Sequence, residues 1–209
     1  MKKLISLFCL MLGLSSAQAL AADTPVDIIK DGSRQVLDVL KQDNGKNTKQ
    51  VRQQAETIAV PLFDFPRMTA LAVGIGWRQA TPEQRTQLTQ QFQTLLVRTY
   101  STTMTRFKTA QVNVQANPVI SANGRDATVK SSVTLPGNAN PVAVDYVLNK
   151  GDKGWKIYNV SVEGASLVTV YRNSFNEEIQ KSGVDGLIKL LQDKNAAPGA
   201  AAPAAKGKG

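Results

Sequence analysis

The hydrophobic rhythm of the chain changes twice, and this constrains the fold more than any other feature. Up to Phe107 apolar residues recur about every 3.6 positions, the spacing of one helix face. From Gln111 they alternate about every 2 positions, as on a half-buried strand. After Leu167 the helical spacing returns. Strands are thus gathered in one block between helices, an α+β order rather than an alternating α/β one.

Local signals give the elements. Thr24-Pro25 is a hydroxyl cap with proline at the first helical position, followed by Val26, Ile29, Val36, Leu37 and Leu40 on one face. After the turn cluster Asp43-Asn44-Gly45-Lys46-Asn47, Thr48 is expected to cap a second helix bearing Val51, Ala55, Ile58 and Ala59. Pro61 and Pro66 interrupt it around Leu62-Phe63-Asp64-Phe65. A short apolar helix over 67–73 then ends near Gly74 and Gly76. Thr81-Pro82-Glu83-Gln84 opens a long helix whose apolar face carries Leu88, Phe92, Leu95, Leu96, Thr99, Tyr100 and Phe107.

Alternation places Val112 and Val114 on a first strand. After the Asn123-Gly124 turn, Ala127, Val129, Ser131, Val133 and Leu135 lie on a second, and Val142, Val144, Tyr146 and Leu148 on a third. Gly151-Asp152-Lys153-Gly154 is a hairpin loop into a fourth strand over 155–163. Helical patterns over 167–181 and 185–191 close the chain. The expected fold is a curved four-stranded antiparallel sheet packed against helices. Its expected form is the cone of the cystatin and nuclear-transport-factor folds, wrapped around the long helix and enclosing an apolar pocket.

Both ends read as outside this fold. Lys2 and Lys3 precede an apolar run over 4–14, and Ala17-Gln18-Ala19 and Ala19-Leu20-Ala21 are candidate cleavage sites, so 1–21 reads as a secretory signal peptide. The run is too short to span a bilayer as a permanent helix. Cys9 lies inside it rather than after it, which argues against a lipid anchor. Residues 196–209, rich in Ala, Pro, Gly and Lys, read as a disordered tail. The remaining 22–195 suffices for one domain.

That domain offers little for catalysis. The chain has no histidine, and its single cysteine, Cys9, is in the leader. The usual general base, the commonest metal ligand and the thiol nucleophile are therefore missing together. Gly74 and Gly76 lack the third glycine and Lys-Ser/Thr ending of a phosphate loop. Glu177-Glu178 are adjacent, so on a helix they diverge by about 100° and do not form a dyad. Asp64, between two phenylalanines, is preferred as a helix cap; the competing reading is a base in an apolar site. No metal or other cofactor is expected. Net charge is +9, of which Lys2, Lys3, Lys206 and Lys208 contribute four at the two ends. The balance favours an anionic partner, and export makes nucleic acid an unexpected one.

The stretch Phe63-Asp64-Phe65-Pro66-Arg67-Met68-Thr69-Ala70-Leu71-Ala72-Val73-Gly74 continues into Trp77-Arg78 and Ala80-Thr81-Pro82-Glu83-Gln84. It runs on to Phe92 and Leu95-Leu96-Val97-Arg98-Thr99-Tyr100. Together with Glu163-Gly164-Ala165-Ser166-Leu167 and Gly183-Val184-Asp185-Gly186-Leu187, this closely resembles the MlaC, or toluene-tolerance, family of periplasmic phospholipid-binding proteins. The resemblance spans nearly all of 24–193. It implies a carrier, not an enzyme, that shuttles glycerophospholipid across the periplasm and maintains outer-membrane lipid asymmetry. It also implies two partners: an inner-membrane MCE-domain ABC transporter and an outer-membrane lipoprotein–porin complex. A cone-fold enzyme using Asp64, or a basic periplasmic adaptor without lipid, are the rival functions.

A pocket for acyl tails would draw on Leu88, Phe92, Leu95, Leu96 and Tyr100 of the long helix, with Leu71 and Val73 before it. Val144, Tyr146 and Leu148 are expected to face them, with Ala165, Leu167 and Tyr171 beyond the last strand. Each of these also fits plain core. Arg67, Arg78 and Arg98 are candidates for docking headgroups or acidic partners. A tail of ~16 carbons gains roughly 13 kcal/mol on leaving water, so a lipid needs a shield to cross it. A dry void of ~1000 Å³ would cost about 24 kcal/mol at roughly 24 cal/mol per Å³. That exceeds the ~5–15 kcal/mol stability of an ordinary domain, so an empty pocket is expected to collapse, hydrate or stay loaded.

Overall fold

The computed structural model describes residues 24–137 and 140–197. The leader over 1–21 and the tail beyond 197 lie outside the described residues. Six helices, α1 (Pro25–Leu40), α2 (Thr48–Ala59), α3 (Phe65–Val73), α4 (Ile75–Gln79), α5 (Pro82–Met104) and α6 (Leu167–Ala196), flank a block of strands. These are β1 (Gln111–Val114), β2 (Val119–Ile120), β3 (Asp126–Thr134), β4 (Val142–Gly151), β5 (Gly154–Val162) and β6 (Ala165–Ser166).

Two capping boxes fix helix starts. The Asp27 N–H donates to Thr24 Oγ1 at 3.2 Å, and the Thr24 N–H donates to Asp27 Oδ2 at 3.1 Å. Thr81 and Gln84 repeat the arrangement at the head of α5. Thr48 does not cap α2 as expected. It is the first helical residue, and its hydroxyl donates to Asp43 Oδ1 at 2.8 Å. Gly76 does not end a helix either; it lies within α4, where a Cβ would meet Ile179 Cδ1 at 2.7 Å. The chain turns at Gly74 instead, with φ +65.

The sheet is antiparallel and open, in the order β1-β3-β4-β5-β6, with β2 also on β3. It has six strands rather than the expected four, for two local reasons. β1 and β2 share one edge of β3 but are divided around Pro118, which has no N–H to donate. β6 is a two-residue return made by the turn Glu163-Gly164, both at positive φ (48 and 78), the backbone of a tight hairpin. The β4–β5 register shifts at Val147/Leu148, which leaves Tyr158 unopposed. The bulge moves the buried positions of β5 from Trp155 and Ile157 to Val160, breaking simple alternation.

The apolar interior is divided. A helical core gathers residues of α3, α5 and α6 around Phe92, whose ring meets Tyr171 at 5.0 Å and Phe175 at 5.2 Å. A sheet core gathers Ala127, Val129, Val144, Leu148, Trp155, Ile157 and Val160 with Val26 and Ile29 of α1. A small third cluster ties Leu40 of α1 to Val51 and Ala55 of α2. The sheet therefore does not wrap α5 as expected. The apolar face of α5 is taken by α3 and α6; α1 covers β1 and β3, and α3 and α6 also reach β5. Gly32 on α1 admits Leu62, whose Cδ1 would lie 2.5 Å from a Cβ there.

Candidate functional site

The site is built around Phe63, which touches both cores, between α2, α3 and α5. After α2 a short 3-10 turn, Val60–Leu62, brings Phe63 into extended backbone. Phe63 forms a parallel bridge with Ile157 of β5 and packs against both cores. The Asp64 N–H donates to Ile157 O at 2.7 Å, while Asp64 Oδ1 accepts the Arg67 N–H at 3.0 Å. Asp64 is therefore the cap of α3. Arg67 leans on the Tyr158 ring, 4.2 Å from its centroid, and reaches Asp126 Oδ1 at 3.1 Å. Lys156 Nζ donates to Pro61 O on the same side. These contacts stitch the turn before α3, and α3 itself, to β5.

An apolar cavity of about 100 Å³ opens beside Phe63. Ala59 and Val60 at the end of α2, Phe63, Phe65 of α3, and Leu96, Val97, Tyr100 and Met104 of α5 line it. Phenylalanines on either side of Asp64 both reach this cavity, and their rings lie 5.7 Å apart.

The residues anticipated for an acyl pocket divide between the cores. Leu71, Val73, Leu88, Phe92, Leu95, Leu96, Tyr100 and Tyr171 lie in or against the helical core. Val144, Tyr146, Leu148 and Leu167 belong to the sheet core, and Ala165 sits half-buried in β6. Only Leu96 and Tyr100 of this set line the apolar opening. Ala59, Val60, Phe63, Phe65, Val97 and Met104, which also line it, are not among the anticipated residues. The signal available for Phe63 was the Phe-Asp-Phe spacing, whose alternation suits extended backbone.

The interior carries phenols rather than charges. Burial, followed by the neighbouring Tyr100, pushes the Tyr171 hydroxyl well above the ordinary tyrosine range. Burial likewise raises Tyr100 and Tyr146. Tyr158 is raised first by burial and then by the Asp126 carboxylate. The three arginines are held differently. Arg67 is engaged as above, Arg98 donates to Ala197 O at 2.8 Å, and Arg78 is exposed. Among the described residues there is no cluster of His, Cys, Asp and Glu able to hold a metal. No described helix is long and apolar enough to cross a membrane.

The family model described as MlaC protein matches residues 30–193, most of the chain. The chain belongs to the MlaC family. Among curated MlaC relatives, the toluene tolerance protein ttg2D of Pseudomonas putida is 26% identical over 170 residues, 79% of this chain and 77% of that protein. The intermembrane phospholipid transport system binding protein MlaC of Haemophilus influenzae is 20% identical over 197 residues, 91% of each chain. A solved structure of the phospholipid-binding protein from Ralstonia solanacearum, in complex with a phospholipid, is 36% identical with a TM-score of 0.71. The match covers 81% of this chain and 95% of that one. Membership in the MlaC family gives the divided apolar interior a context that sequence pattern alone did not supply.

Proposed function

We propose that this protein is a non-catalytic carrier of glycerophospholipid between the two membranes of a Gram-negative envelope. The observation that carries the reading is the likeness to the Ralstonia protein bound to a phospholipid, at 36% identity over most of both chains. In this reading 1–21 directs export to the periplasm and 22–195 holds the lipid. Acyl chains enter beside Phe63 and lie along the seam, touching Leu71, Val73, Leu88, Phe92, Leu95, Leu96, Tyr100 and Tyr171 on one side. Val144, Tyr146, Leu148, Leu167 and Ala165 contribute the other side. An MCE-domain ABC transporter of the inner membrane and a lipoprotein–porin complex of the outer membrane exchange lipid with it, which maintains asymmetry.

The physical support is the match between cargo and interior. A cavity of about 100 Å³ is far smaller than two acyl chains need, so on this reading loading parts packed elements rather than filling a standing void. Keeping the unloaded seam closed avoids the large cavity penalty described above. Because a bilayer already shelters the tails, the carrier needs an apolar and weakly selective interior, not a tight one. Native mass spectrometry with organic extraction tests the proposal. The expected result is co-purified phospholipid in stoichiometric amount. Protein that carries none and takes up none from phospholipid vesicles would refute the reading.

A further inference from the structure

A second groove, of about 600 Å³, runs between α1 and β1, and its lining is unlike that of the seam. All four residues of β1 line it. Successive strand residues point to opposite faces of a sheet, so a groove touching every one of them follows the strand's edge. That edge is unpaired, since β1 ends the sheet and pairs only with β3. The Gln115 N–H donates to Lys130 O at 2.9 Å, and antiparallel bonding alternates residue by residue. Asn113 and Gln111 therefore turn their backbone groups toward β3, and Val112 and Val114 turn theirs into the groove.

The opposite wall is a charged stripe of α1. Lys30, Arg34 and Lys41 recur at helical spacing, with Asp38 the one acid among the lining residues. Arg34 meets Asp31 at 2.7 Å and Lys41 meets Asp38 at 3.0 Å, both on exposed surface where such pairs are weak and readily exchanged. The stripe rises roughly 16 Å along the helix, and the strand edge spans roughly 13 Å. Backbone donors and acceptors on one wall thus run beside cations on the other over matching lengths.

We propose that this groove binds an extended acidic segment of a partner polypeptide. The segment adds to β1 as an outer strand, through Val112 and Val114, and sets its carboxylates against Lys30, Arg34 and Lys41. Main-chain pairing supplies affinity, and the cations select the sign of the partner. A second copy is disfavoured, because β1 paired with β1 would bring two basic stripes together. The chain's own end is of the wrong sign too, carrying Lys206 and Lys208.

The test is fluorescence anisotropy of the full chain with a labelled short peptide alternating Glu and Val, beside a Lys/Val peptide. The Glu/Val peptide is expected to bind and the Lys/Val peptide not. Lys30→Glu with Arg34→Glu should weaken the first by at least about tenfold and confer binding of the second. Val114→Pro removes one outward N–H without touching the β1–β3 bonds, and should also weaken it about tenfold. Glu/Val peptide N-methylated along its pairing edge gives the same readout on unaltered protein. No binding of Glu/Val, equal binding of both peptides, or indifference to N-methylation would overturn the proposal. So would a concentration-dependent dimer lost in Val114→Pro, which would assign the groove to a second copy.

Discussion

Filling the apolar cavity should make the protein more stable and a poorer carrier at once. Ala59 closes α2 at the rim of that cavity, and leucine there places three further carbons beside it. At about 0.8 kcal/mol per buried methylene, the gain is at most ~2.4 kcal/mol. Removing a void of about 100 Å³ at roughly 24 cal/mol per Å³ gives the same figure by another route. The two describe one effect and do not add. Ala59 is only half-buried, so about half of it, ~1.2 kcal/mol, is expected. For a domain of this size that raises the melting temperature of delipidated protein by about 2–5 °C. Lipid reverses the order. A ligand at about 100 times its Kd stabilises the parent by ~2.7 kcal/mol, and Ala59→Leu forfeits much of this by blocking the mouth. The assay is thermal unfolding by circular dichroism, with and without saturating phospholipid, alongside phosphorus content after purification. Crossing melting orders are expected. If leucine stabilises both forms equally and lipid content is unchanged, the cavity is an ordinary packing defect and the reasoning fails. A lower melting temperature in the delipidated variant would show overpacking and defeat the premise of available room.

Phe92→Ala removes the ring at the centre of the helical core and should cost about 3–5 kcal/mol, read from the urea midpoint. A loss below about 1 kcal/mol would mean the aromatic cluster is not a packing centre. The Tyr171 phenol is pushed above its ordinary value of 10.0, so the fold favours its protonated form. The stability it contributes is complete below about pH 10 and fades as pH climbs above it. Tyr171→Phe should accordingly flatten the alkaline limb of a stability-against-pH curve, and an unaltered limb would contradict the assignment. Leu167→Glu puts a carboxylate at the start of α6 beside the sheet core, and the folded variant should lose its co-purified lipid. Normal lipid recovery would remove Leu167 from the seam.

Much of the secondary structure was legible because its signals are local. Thr24-Pro25 and Thr81-Pro82 announce helix starts with their own side chains, and alternating valines mark β3 and β4 without reference to anything distant. The partner of each face was not legible. Periodicity shows that Leu88, Phe92 and Leu95 are covered, but it is silent on whether a sheet or a helix covers them. α1 and α5 both carry one apolar face, and nothing local to either distinguishes the one that lies against the sheet. Phe63 was hidden for a related reason: prolines on both sides looked like a break in the chain, whereas the segment pairs with β5. The Tyr158 bulge escaped because a single extra residue leaves no trace in composition.

The stitches around Phe63, Asp64, Arg67 and Lys156, with the step from β6 into α6 and its Ser166–Asn159 hydrogen bond, join the helical part to the sheet along β5. On the proposed function, such an arrangement acts like the spine of a book. Pages held along one side fan out by angle, and thickness between the covers is set by whatever is inserted. A carrier that opens in this way holds no ruler against its cargo: tails of different length or unsaturation would change how far the covers stand apart, not whether they close.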